Sequence, residues 1–133
     1  KINITLVDDH QQFREILKSL LLNSGVANEI HEEATGLGFI TSLDTFYPDL
    51  VLLDISLPDV NGIYATAKAI EKFPELKIIG HSIYKDSVYE KLMINAGAIK
   101  LIPKDSFDTE LIKEITSLIN GEQLVPTYKS DRK

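Results

Sequence analysis

The chain has no cysteine. That excludes a disulfide framework and thiolate chemistry, and it favours a reducing, cytoplasmic setting. Long apolar runs are missing too. No stretch approaches the roughly 18–20 residues that cross a bilayer, and no signal peptide is visible, so no membrane attachment is expected. Basic residues are outnumbered: 14 Lys and Arg stand against 20 Asp and Glu, for a net charge of −6. Nucleic-acid binding rests mainly on Lys and Arg neutralising phosphates, so this chain is not expected to grip nucleic acid by itself. Its one basic cluster, the terminal YKSDRK, reads as a solvated end. Low-complexity segments and sequence repeats are also absent.

What remains is a globular composition. The 133 residues are 44% hydrophobic, enough for one domain with a core. The chain opens on Lys1 rather than Met, as expected of a piece cut from a longer protein. INITLV (2–7) reads as a buried strand. Phe13, Ile16, Leu17, Leu20 and Leu21 recur at helical spacing, and Gly25 stands where that helix would stop. Strands are then expected over 28–34, 49–53, 76–82 and 98–103, and helices over 37–46, 63–73 and 87–96. Leu111, Ile112, Ile115, Leu118 and Ile119 mark a last helix. Strand–helix alternation of this kind predicts an α/β fold, with a parallel sheet covered by helices on both faces. Residues 1–120 form the expected domain, and 121–133, which lose periodicity and contain a proline, form a linker or tail.

Open sheets of this class bind ligands outside the carboxyl ends of their strands. Asp8 and Asp9 end the first strand, Asp54 the third and Ser82 the fourth, and Lys104 follows the fifth. Singly, these read as helix caps, a strand-end serine and a surface lysine. Together they make a constellation. Crowded carboxylates repel unless a cation relieves them, and Mg2+ takes one or two carboxylates, waters and a phosphate oxygen. A carboxylate can also serve as a nucleophile and form an acyl phosphate. Lys104 and the Ser82 hydroxyl suit phosphoryl oxygens. The set therefore fits phosphoryl transfer to Asp54. His10, His31 and His81 are too scattered for a metal set, with His10 bordering the pocket. NIT at 3–5 matches a glycosylation pattern inside a buried strand and is read as chance, and GLGFIT at 36–41 lacks the third glycine of a dinucleotide fingerprint.

LVDDHQQFREILKSLL (6–21), LVLLDISLPDVNG (50–62), HSIYKD (81–86) and AGAIKLIPKDS (96–106) resemble, in order and spacing, the receiver domain of two-component response regulators of the NarL/FixJ type. The resemblance covers residues 2–120. It implies a flavodoxin-like, doubly wound sheet of five parallel strands in the order 2-1-3-4-5. It implies Asp54 as phosphoacceptor, with Mg2+ held by Asp9, Asp54 and the Ser56 backbone carbonyl and Asp8 in support. Ser82 and Lys104 would bind the phosphoryl group, while Pro58 and Gly62 shape the loop after Asp54. Two positions depart from the pattern. Leu101 stands where the family usually carries Tyr or Phe, and Ile83, after the switch hydroxyl, is bulkier than usual and is expected to slow hydrolysis of the acyl phosphate.

The implied function is a switch. A histidine kinase or phosphotransfer protein donates to Asp54, the face formed by helix 4, strand 5 and helix 5 reports the change, and phosphorylated copies can pair as homodimers. DNA would be reached only through a C-terminal helix-turn-helix domain that this chain lacks. The chain is not expected to be an enzyme acting on an external metabolite. Two alternatives stay open: a phosphorylation-independent receiver-like interaction module, and a Mg2+-dependent aspartyl-phosphate phosphohydrolase. The latter commonly needs a second Asp where this chain has Ser56.

Overall fold

Leu50, Val51, Leu52 and Leu53 have no exposed surface. A strand points successive side chains to opposite faces, so an unbroken apolar run needs cover on both sides. The computed structural model, which describes residues 1–84 and 86–120, supplies that cover. β3 (Leu50–Asp54) lies at the centre of a parallel sheet with β1 (Ile2–Val7), β2 (Ala27–Glu33), β4 (Ile78–Ser82) and β5 (Lys100–Pro103), in the order β2-β1-β3-β4-β5. Leu50 and Leu52 enter one core beneath α1 (Gln11–Asn23) and α5 (Phe107–Ile119), against Leu17, Leu21, Leu111 and Ile115. Val51 and Leu53 enter the other, beneath α2 (Gly36–Ser42), α3 (Gly62–Lys72) and α4 (Ser87–Ala96), against Phe39, Ala65, Ala69 and Met93. Each fully buried Leu or Ile contributes about 1.5–3 kcal/mol. The expected fold class, strand order and two-sided helical cover are all present.

The helices stop where local chemistry directs. Gly25 (φ 74°) and Gly97 (φ 122°) adopt the left-handed conformation just beyond α1 and α4. Thr35, Asn61 and Asp86 cap α2, α3 and α4, each accepting a backbone N–H through its side chain.

Several boundaries differ from expectation. α2 ends at Ser42, not residue 46, because Asp44 and Thr45 donate back to Thr41 and Ser42 in tight turns. Pro48 further disfavours helix at Tyr47. β5 begins at Lys100, since the Ala98 amide is taken by Met93 in the cap of α4. β4 begins at Ile78, with Leu76 turned back onto Phe73. The linker or tail expected over 121–133 lies outside the described residues. Among the described residues no helix is long and apolar enough to cross a membrane. Because all five strands run parallel, their carboxyl ends share one edge, and that edge carries the site.

Candidate functional site

β1 delivers Asp8 and Asp9 to that edge, and β3 delivers Asp54. Asp8 is 1% exposed and Asp54 2%. Burying carboxylates this deeply requires donors. On Asp8, Oδ1 accepts from the His10 amide at 2.8 Å and faces His10 Nδ1 at 3.1 Å. Its Oδ2 faces His81 Nε2 at 2.9 Å and Lys104 Nζ at 3.0 Å. Asp54 accepts from the Ser56 amide on Oδ1 at 3.0 Å and from Lys104 on Oδ2 at 3.2 Å. Burial opposes the charge on Asp8. The hydrogen bond and charge attraction of His81, with help from the His10 amide and Lys104, outweigh it and hold the carboxyl well below the usual carboxylate range.

Neighbours fix these groups. Arg14 donates through Nη1 to the Asp8 carbonyl and through Nε to Glu32 at 3.0 Å, clamping the turn that bears the acids. The Phe13 ring packs on His81 at 5.3 Å between centroids and lies 4.4 Å beneath the Lys104 ammonium. Gly62 opens α3, and its amide donates to Ile55 at 2.7 Å. A Cβ there would lie 2.7 Å from the Ile55 Cα and press on the Asp54 carbonyl, so the loop after Asp54 closes only over glycine. Pro58 is exposed in that loop. Next to it, Asp59 accepts from the Gly36 and Leu37 amides at 2.9 Å each, tying the loop to the start of α2.

Ser82 is 1% exposed, and its Oγ accepts from the Tyr84 amide at 2.9 Å. Ser82 and Lys104 share a cleft of about 380 Å3 with Phe13, Ile83 and Asp105. Ile83 is 67% exposed at its mouth. Leu101 is buried on the α4 side of the sheet, beside a smaller cavity that Tyr84, Glu90 and Glu110 also line. Tyr84 stacks on Tyr89 of α4 at 5.2 Å.

The ligand atoms of Asp8, Asp9, His10 and Asp54 lie within 4.8 Å of one another. Carboxylate oxygens in that number suit a hard divalent cation such as Mg2+. Asp8, Asp9, Asp54 and Lys104 thus converge, Ser82 joins Lys104 in the adjoining cleft, and Ser56 touches Asp54 through its amide. His10 borders the acids, as expected. Sequence reasoning set His81 aside as one scattered histidine, and took Phe13 only as part of the first helix's periodicity. It did not single out Arg14 or Asp59. The position of His81, directly before Ser82 at a strand end, was the available signal.

Residues 4–116 match the family model described as the response regulator receiver domain. The chain belongs to that family. This receiver domain is 31% identical over 121 residues to the transcriptional regulatory protein DegU of Brevibacillus brevis, covering 91% of this chain and 51% of that protein. It is 35% identical over 112 residues to the uncharacterized transcriptional regulatory protein YhcZ of Bacillus subtilis, covering 84% and 52%. The receiver thus spans about half the length of the curated relatives it matches. Among solved structures it resembles a LuxR-family two-component response regulator from Aurantimonas, with TM-score 0.85, 26% identity and coverage of 92% of this chain and 88% of that one. A CheY-like receiver protein from Methanospirillum hungatei gives TM-score 0.81 at 27% identity, covering 90% and 94%.

Proposed function

We propose that this receiver domain accepts a phosphoryl group on Asp54. The observation that carries the reading is a carboxylate 2% exposed at the sheet's centre, paired to Lys104 and flanked by two further acids. Asp9, Asp54 and the Ser56 backbone carbonyl would hold Mg2+ with Asp8 in support, and bound there the ion would screen the acids from an anionic donor. An Asp54 oxygen attacks phosphorus, forming a P–O bond as the P–N bond of a donor phosphohistidine breaks. The imidazole leaves with the electron pair and is protonated. Lys104 pairs with the phosphoryl oxygens. The Ser82 hydroxyl, already accepting from Tyr84, donates its proton to another.

Movement of Ser82 then reaches Tyr84 through their hydrogen bond, and α4 through the Tyr84–Tyr89 stack. That route supports a response at the α4–β5–α5 face without an aromatic residue at position 101. The donor is a histidine kinase or phosphotransfer protein, and phosphorylated copies can pair. The matched curated relatives, about twice as long as this chain and named transcriptional regulatory proteins, support a role with a DNA-binding output domain in a cytoplasmic transcription regulator. The receiver turns over no external metabolite.

The test is intact mass after incubation with acetyl phosphate, with and without Mg2+, for wild type and Asp54→Asn. A Mg2+-dependent gain of one phosphoryl group, lost in Asp54→Asn, is expected. No gain under any condition would leave a phosphate-independent interaction module.

A further inference from the structure

An ionised carboxylate has about four acceptor positions. Asp8 faces four nitrogens: the amide and Nδ1 of His10 on Oδ1, and His81 Nε2 and Lys104 Nζ on Oδ2. Asp9 is different. Its side chain is 34% exposed, and His10 Nδ1 lies 3.4 Å away. Three acids therefore reach one pocket, but Asp8 arrives with its oxygens already engaged.

Of the side chains that face it, His81 is the most firmly placed. Lys104 sits on a long stem, bridges to Asp54 and is 13% exposed. His10 is exposed. His81 is 1% exposed, stands in β4 opposite Asp54 in the strand register, and has its ring against Phe13. An ionised carboxylate only accepts, so the His81 Nε2 facing it carries the hydrogen.

We propose that His81 is a positioning residue that keeps Asp8 in the supporting role given above, out of direct contact with a bound cation. This rests on the metal reading given above. Asp8 then acts on the cation by charge and through water. Two direct carboxylates match the habit of Mg2+, which keeps several waters and dehydrates reluctantly. The arrangement turns the usual outer-sphere logic round. Such partners normally orient a ligand toward the metal, and changing them shifts affinity by about 10–100-fold. Here the partner holds a third carboxylate back, so its removal strengthens binding.

The experiment is calorimetric titration of Mg2+ into metal-free wild type, His81→Leu and His81→Gln, with urea midpoints in metal-free buffer confirming that each is folded. His81→Leu releases one Asp8 acceptor and is expected to bind Mg2+ about tenfold tighter, at the low end of the outer-sphere range. His81→Gln keeps an N–H donor and is expected to stay near wild type. A His81→Leu affinity equal to or below that of a Mg2+-binding wild type overturns the proposal alone. No binding by any of the three overturns the metal reading, and this proposal with it. A second readout needs no variant: the Nε2–H proton resonance of His81 in wild type is expected to persist at saturating Mg2+, and its loss on saturation overturns the proposal.

Discussion

The ammonium nitrogen of Lys104 lies 3.2 Å from Asp54 Oδ2 and 3.0 Å from Asp8 Oδ2. One cation thus joins two buried carboxylates from neighbouring strands, although Lys104 itself follows β5 at the sheet's edge. Without it the two charges would face each other in a medium that screens them poorly. Beside this bridge lies the cluster of acids that suits a divalent ion.

Lys104→Met removes the shared cation while leaving both acids buried. Removing one partner from a buried ionic set is strongly destabilising, and a loss of roughly 3 kcal/mol is expected. Urea unfolding at pH 7 in metal-free buffer measures it. Added Mg2+ is expected to restore part of the loss, because a ligand that binds only the folded state stabilises it. An unchanged midpoint would mean that Lys104 does not carry the charge balance of the site.

Stability is expected to fall in acid, with Asp8 among the causes. Its carboxyl is held below its ordinary value of 3.8 in the folded state. The unfolded chain therefore binds the proton first as pH falls. The contribution is fully present well above pH 4, and is lost progressively as pH drops below it toward the depressed folded value. Urea midpoints from pH 7 down to pH 3 should decline less steeply in Asp8→Asn than in wild type. Parallel slopes would contradict the assignment. Glu32 adds a loss of the same sign. Burial opposes its charge, but Arg14 and Lys18 outweigh that and lower its pKa.

Gly62→Ala places a methyl group 2.7 Å from the Ile55 Cα and against the Asp54 carbonyl. Backbone cannot yield as a flexible side chain does, so a cost of about 1–3 kcal/mol is expected in urea unfolding. The phosphorylation by acetyl phosphate proposed above for Asp54 should also slow, since the strain falls on that residue.

Ile83→Ala should shorten the lifetime of the phosphorylated state severalfold. Ile83 is 67% exposed at the mouth of the cleft that Ser82 and Lys104 share, where it can obstruct attacking water. Intact mass followed over time after removal of the phosphodonor measures the decay. An unchanged rate would clear Ile83 of that role.

Much of the fold was legible because its signals are local. The run from Leu50 to Leu53 requires two covered faces, and with helices alternating along the chain only a two-sided parallel sheet provides them. Gly25 marked a helix end through its backbone freedom. The boundaries that slipped lie where turn bonds compete with regular structure, as at Asp44 and Thr45 after α2. Ala98 looked like strand but serves the cap of α4, because a helix's last carbonyls need donors before a strand can begin.

The site divides in the same way. Apolar runs ending in Asp8, Asp54 and Ser82 put polar groups at the carboxyl ends of strands by pattern alone, and the parallel order gathers those ends on one edge. Which groups touch there is a long-range matter. His81 and Asp8 are 73 residues apart and meet across β3, on strands that are not neighbours. No periodicity in a single chain encodes such a contact. It follows from strand order, register and the packing of Phe13 over both His81 and Lys104, so only the tertiary structure could show that His81, far away in sequence, is a buried partner of Asp8.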